Sequence, residues 1–220
     1  MRYLLFGDSI AWGMNDFKNR GWAGHLKKHI KKEHKNSDKN PFGIKIIKNT
    51  REKNRLFKNF AIPGNNSVDL LDKLKRKGMK IIEKNKDRDY TIIIAIGTND
   101  SQIEKFKIIK SIEENKFSNN IKKILKLSKK LSKRVIVIGL LPVDELKTAY
   151  EKRKSVYVND RIKRYNEILK ESSKKENVEF VDFYMDWMKK DYKKLLSDGL
   201  HPNIKGHKLI FEKIKPIITH

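Results

Sequence analysis

Cysteine is absent from the 220 residues. That excludes disulfides, a thiolate nucleophile and any zinc site built on thiolates, and it is consistent with a reducing compartment. Long apolar runs are absent too. No stretch approaches the roughly eighteen residues a membrane span needs. The opening run Met1-Arg2-Tyr3-Leu4-Leu5-Phe6 breaks at Gly7-Asp8 before a secretory hydrophobic region can form. The chain is therefore read as mature from its first residue, with cytoplasmic residence as the default expectation. Arginine is scarce, ten residues against forty-two lysines, within a formal charge of +25. A field of that size concentrates polyanions. Specific phosphate and base-edge contacts, however, favour the guanidinium fork. The lysines are also strewn over every predicted helix, as in Lys122, Lys123, Lys126, Lys129, Lys130 and Lys133. Two readings of the charge stand: a general surface bias with weak, non-specific polyanion association, or a real anionic partner.

What is present is an ordered alternation. The apolar fraction is only 38% but falls in short blocks, unlike a disordered chain, and the length suits one α/β domain. Residues 2–6 read as a strand, and 22 to about 35 as a helix with Trp22, Leu26, His29 and Ile30 at helical spacing. Residues 43–47 read as a minor or edge strand and 56–62 as a core strand stopped by Pro63-Gly64. A helix over 67–83 carries Val68, Leu71, Leu74 and Ile81. Residues 90–96 are β-branched without alternation, the habit of a central parallel strand buried on both faces. A short helix is expected around 104–109. Ser118 or Asn119 then caps a helix whose face is Ile121, Ile124, Leu125, Leu127 and Leu131. Strand 134–140 follows. Helix 159–174 points Ile162, Tyr165, Ile168 and Leu169 inward. After strand 178–183, helix 203–218 buries Leu209, Ile210, Ile214 and Ile217. About five β-α repeats imply a parallel sheet with helices on both faces, and ligands bind such sheets beyond the carboxyl ends of the strands.

Polar islands lie where the apolar runs end. Ser9 follows the first strand and Gly7. A neutral alcohol needs a base at hydrogen-bonding distance, and His201 can take its proton and pass it to a leaving group. Asp198, three residues earlier, can hold the other ring nitrogen and stabilise the imidazolium. The oxyanion of a tetrahedral intermediate requires convergent donors; the candidates are the N–H of Ser9, the N–H of Gly64 and the side-chain amide of Asn99. Asp8 reads as structural, anchoring its turn through backbone N–H groups. Read singly, a serine after glycine is a turn or cap residue, Gly64 a turn residue and Asn99 a cap. Their joint occurrence in one α/β layout is what points to chemistry.

These residues resemble the SGNH or GDSL hydrolase family. Gly7-Asp8-Ser9-Ile10 is similar to its first block, with Ser9 matching the nucleophile. Gly64 represents the second, and Gly97-Thr98-Asn99-Asp100 the third, with Asn99 matching the oxyanion asparagine. Asp198-Gly199-Leu200-His201-Pro202 resembles the fifth, with Asp198 and His201 matching acid and base. The resemblance implies one three-layer α/β/α domain over 1–220, flavodoxin-like, with a mainly parallel five-stranded sheet. It implies hydrolysis of carboxylic esters or thioesters of small or medium acyl groups through an acyl-enzyme, with no metal or cofactor.

Loops 101–117 and 143–157 are expected to line the pocket. The second carries Lys147, Lys152, Arg153 and Lys154, either as a bias toward anionic substrates or as a solvated run. Trp12 and Met14 line an acyl pocket or pack the first loop, while Trp187 and Met188 seal the core. His25, His29 and His34 lack the spacing and the acids of a metal site and read as structural or surface residues. Two rival functions remain: a non-catalytic binding protein for nucleic acid or another polyanion on the same scaffold, and phosphate-ester hydrolysis at Ser9. The latter lacks the clustered acids of a two-metal site.

Overall fold

Strand β1 (Arg2–Gly7) lies at the heart of the molecule because its side chains are apolar on both faces. Leu4 and Phe6 enter one core and Leu5 the other, the two-residue period of a strand buried on both sides. The computed structural model describes residues 1–37, 56–83, 89–104, 112–149 and 155–219. Strands β2 (Phe57–Asn59), β3 (Tyr90–Ala95), β5 (Arg134–Ile138) and β7 (Glu179–Val181) complete a five-stranded sheet in the order β2-β1-β3-β5-β7. Every pairing is parallel, and the β1–β3 register runs from Arg2 opposite Tyr90 to Gly7 opposite Ala95.

One face carries α3 (Ser67–Lys73), α5 (Glu114–Leu131) and α7 (Asn159–Lys175), through Leu70, Phe117, Ile121, Ile124, Tyr165 and Leu169. The other carries α1 (Ser9–Trp12), α2 (Gly21–Ser37) and α9 (Ile204–Thr219), through Trp22, Leu26, Ile210 and Ile214. Side chains of this size each contribute about 1.5–3 kcal/mol when fully buried. The result is the expected three-layer α/β/α arrangement. Its strand order reverses direction at β1 and β3, and in open sheets that reversal marks the crevice where ligands bind.

Several elements depart from the sequence reading, each for a visible reason. Helix α3 continues through a π-helical turn (Leu74–Gly78) into α4 (Met79–Glu83). Its inward positions are Ser67, Leu70 and Leu74, and Val68 is 41% exposed. The rotation is set by hydrogen bonds: the Ser67 N–H donates to both Asp100 oxygens at 3.0 Å, and Asn120 Nδ2 donates to Ser67 Oγ at 2.9 Å. A polar residue thus holds the core-facing place that Val68 was expected to take.

In α9 the same thing happens. His207 is fully buried and Leu209 is 38% exposed. Helix α5 begins at Glu114, a turn before the expected caps Ser118 and Asn119, because Phe117 is fully buried and packs on Tyr165 at 4.8 Å. Strand β2 is shorter than 56–62, although the Phe60 and Ile62 amides still donate to Leu5 and Gly7 of β1.

Strand β4 (Ile103–Glu104) takes in the first residue of the helix expected over 104–109, pairs antiparallel with β6 (Ser155–Val156) and ties the two expected pocket loops together. Residues 105–109, the strand expected over 43–47, and Lys152, Arg153 and Lys154 lie outside the described residues. Trp187, in α8 (Tyr184–Met188), is buried as expected, but Met188 is 43% exposed and seals nothing.

Candidate active site

Ser9 opens α1 directly after β1. Gly7 makes that approach possible, since a Cβ there would lie 2.5 Å from the Ala95 carbonyl oxygen and 2.6 Å from Ala11 Cβ. Asp8 is the N-cap, its Oδ1 accepting from the Ile10 N–H at 2.9 Å, which bears out its structural reading. Ser9 therefore sits at the first helical position, where helix geometry supplies no carbonyl for its own N–H. Asn59, at the end of β2, donates from Nδ2 to the Ala11 carbonyl at 2.9 Å and holds the far end of α1.

From the opposite end of the chain comes the loop before α9. It is closed by a bridge between Leu196 and Pro202 and by a hydrogen bond from the Ser197 N–H to the His201 carbonyl at 2.8 Å. Asp198 Oδ1 accepts from the backbone N–H groups of His201 at 2.8 Å and Leu200 at 3.1 Å. Its other oxygen, Oδ2, lies 2.9 Å from His201 Nδ1, and His201 Nε2 lies 2.9 Å from Ser9 Oγ. A carboxylate can only accept, so the ring proton is on Nδ1 and Nε2 is free to accept from the serine hydroxyl. Burial alone would raise the Asp198 pKa. The hydrogen bonds from the His201 side chain and backbone, the adjacent imidazole charge and the Leu200 N–H outweigh it and hold the carboxyl well below the usual range.

The remaining candidates meet across the β1–β3 crevice. Residues Ile62, Pro63, Gly64 and Asn65 form a turn closed by the Asn65 N–H on the Ile62 carbonyl at 3.2 Å. Proline in the second place and φ +82° at Gly64 are the marks of a type II turn, which requires glycine in the third. The Gly64 N–H belongs to the central peptide of the turn and takes no part in the closing bond. Asn99, beyond the end of β3, donates from Nδ2 to the Asn65 carbonyl at 2.8 Å. The structure thereby joins the glycine turn and the asparagine directly, as it joins Ser9, His201 and Asp198.

Beneath these groups are supports that sequence reasoning left without a role. Asp100 is fully buried and fastens the Asn99 turn to the start of α3 through Ser67. Asn159 clamps the Val143 backbone from both sides, Oδ1 accepting from its N–H and Nδ2 donating to its carbonyl, each at 2.9 Å. The next residue, Asp144, donates its N–H to the Gly199 carbonyl at 2.8 Å and leads into the short helix α6 (Glu145–Thr148). Lone asparagines carry no motif that announces such work. Lys147 is exposed beside Gly199. Trp12 meets Phe17 edge-on at 6.2 Å, within the first loop. His25 and His29 pack on Phe211, and among the described residues no group of three His, Asp or Glu is placed to hold a metal ion.

His207 went unnoticed in the sequence because it is a lone histidine in an apolar helix. Its Nδ1 accepts from the Trp22 N–H at 3.3 Å and its Nε2 donates to the Met14 carbonyl at 2.8 Å, so it ties α9 to the loop behind Ser9. Burial lowers its pKa. A depressed folded value gives stability that is present above the unfolded value of about 6.5 and is lost as pH falls through the folded one. Asp8 and Asp100 act oppositely. Burial pushes both to about 6, so their contribution is full below about 3.8 and lost as pH rises through 6. His207→Ala leaves two backbone groups unpaired, at about 3 kcal/mol together. Thermal melts are expected to show a loss of about 6–12 °C at about pH 8, with the gap to wild type narrowing at about pH 5. A constant gap would mean that protonation of His207 is not linked to folding.

A family model for the GDSL-like Lipase/Acylhydrolase family matches residues 5–209. The chain belongs to this family. This GDSL-like acylhydrolase is similar to one curated protein and to several solved structures. YpmR of Bacillus subtilis (strain 168), an uncharacterized protein, is 25% identical over 229 residues, spanning 94% of this chain and 77% of its own. The acetylxylan esterase Axe2 of Geobacillus stearothermophilus superposes with a TM-score of 0.69 at 18% identity, over 100% of this chain and 94% of its own. The psychrotrophic esterase EstA of Pseudoalteromonas sp., in a structure inhibited by monoethylphosphonate, gives 0.65 at 18% identity, over 99% and 96%. Catalytic mutants of Axe2 carry alanine in place of a serine or a histidine. In this acylhydrolase no helix among the described residues is long and apolar enough to cross a membrane.

Proposed function

We propose that this acylhydrolase cleaves carboxylic esters or thioesters of small or medium acyl groups through an acyl-enzyme on Ser9. The observation that carries the reading is the unbroken hydrogen-bonded chain from Ser9 Oγ through His201 to Asp198, each link 2.9 Å. His201 Nε2 takes the hydroxyl proton as Oγ attacks the carbonyl carbon. Asp198 keeps the ring oriented and stabilises the imidazolium. Negative charge on the former carbonyl oxygen is met by the N–H groups of Ser9 and Gly64 and by the Asn99 amide. Collapse of this intermediate breaks the bond to the leaving oxygen or sulfur, which receives the proton from His201. Water, deprotonated by the same imidazole, then releases the acid and restores Ser9. The esterase activities named for Axe2 and EstA, and the serine and histidine replaced in the Axe2 mutants, agree with this assignment.

The test is direct. Wild-type protein is expected to release nitrophenol from nitrophenyl acetate or butyrate and to take up a fluorophosphonate covalently at Ser9, located by peptide mass spectrometry. Ser9→Ala is expected to abolish both. Wild type that neither turns over such esters nor is labelled at Ser9 would overturn the reading.

A further inference from the structure

Tyr157 lies between β6 and α7, is 5% exposed, and belongs to no motif. Its carbonyl accepts from Thr148 Oγ1 at 2.8 Å, which fixes its backbone. Its hydroxyl reaches Asn99 Oδ1 at 3.2 Å and Gln102 Oε1 at 3.4 Å. A phenol has one proton to give, and an amide oxygen can only accept. The shorter contact takes that proton. Turning the Gln102 amide over, which exchanges atoms of similar size, would place its NH2 group on the phenol oxygen and satisfy both neighbours.

We infer that Tyr157 is a positioning residue for Asn99, aiming its amide at the oxygen that becomes negative in the transition state. The inference rests on the reading of Asn99 as an oxyanion donor. It follows from counting the valences of the amide. One N–H is committed to the Asn65 carbonyl at 2.8 Å, and the C=O is committed to the Tyr157 hydroxyl. The second N–H is what remains for substrate. Rotating the amide by half a turn would set Oδ1 against the Asn65 carbonyl, two acceptors face to face, so the Asn65 contact excludes the wrong orientation and leaves Oδ1 toward the Tyr157 hydroxyl, whose proton then fixes where the amide points. Donation to Oδ1 also polarises the amide and strengthens the remaining N–H as a donor.

Tyr157→Phe keeps the ring and removes the proton. It is expected to lower kcat on nitrophenyl acetate about tenfold with KM within about twofold, because the lost interaction matters only where charge develops. Asn99→Ala is expected to lower kcat about 10²- to 10³-fold. In that background Tyr157→Phe should add less than about twofold, since nothing is left to position. An unchanged kcat in Tyr157→Phe alone, or the same tenfold loss without Asn99, overturns the inference. An Asn99→Ala enzyme of full activity would instead remove the oxyanion reading beneath it.

Should Tyr157→Phe fold poorly, a fluorinated tyrosine placed at 157 retains ring and hydroxyl. Its phenol ionises nearer neutrality than the usual value of about 10, and a phenolate cannot donate. An alkaline loss of kcat that moves with the phenol pKa supports the inference. A profile identical to wild type overturns it.

Discussion

His201→Ala is expected to lower kcat by about 10⁵-fold, with KM within a few-fold. Adding Ser9→Ala in the same chain should cost almost nothing more. Without Nε2 as base, the Ser9 hydroxyl keeps the pKa of an ordinary alcohol and the leaving group departs unprotonated. Once either partner is gone the other has nothing to act with, so the two losses do not multiply. The fold should survive, because His201 is only partly buried and its loop is closed by backbone hydrogen bonds from Ser197 to His201 and from Asn203 to Leu195, on either side of the Leu196–Pro202 bridge. Steady-state kinetics with nitrophenyl acetate, alongside matched thermal melts, make the measurement. A loss below about tenfold would take His201 out of the reaction.

The second expectation concerns a nearly isosteric change. Asp198→Asn should lower kcat by about 10⁴-fold, and the reason is particular to this loop. Asp198 Oδ1 accepts from two backbone N–H groups, those of Leu200 and His201. An asparagine must put its carbonyl oxygen there, because an NH2 group cannot accept them. Its amide nitrogen then faces His201 Nδ1 at the 2.9 Å separation now held by Oδ2. That nitrogen donates, so it moves the ring proton to Nε2, and the imidazole presents a proton to Ser9 where it should present a lone pair. The loss should therefore appear in kcat, with fluorophosphonate labelling of Ser9 slowed in parallel. Retention of more than about a tenth of activity would mean that the tautomer is not controlled from Asp198.

The meeting of the candidate site residues was easier to read than the packing. Ser9, Asp198 and His201 sit in short motifs, and the β-α alternation already pointed their loops to one sheet edge. The apolar strands were legible because both faces are hydrophobic. The misreadings share a physical cause. The apolar periodicity alone places Val68 and Leu209 inward, whereas Ser67 and His207 hold those places through hydrogen bonds to Asp100, Asn120, Trp22 and Met14. A buried polar residue with all its partners met is stable, but its partners lie far away in sequence, so no local pattern reveals it. Tyr157 and Asn159 were illegible for the same reason. The early start of α5 differs in kind. It follows from Phe117 filling space beside Tyr165, a fit that exists only after the layers are stacked.

The contact between Ser9 and His201 spans 192 positions of chain. Such closures are entropically costly and come late in folding. On the proposed chemistry, a nascent or partly refolded molecule that holds most of its sheet but has not yet brought His201 to Ser9 is chemically silent. Recovered turnover is thus a stricter clock for completed folding than recovered helicity, and it should lag the circular dichroism signal in any refolding experiment.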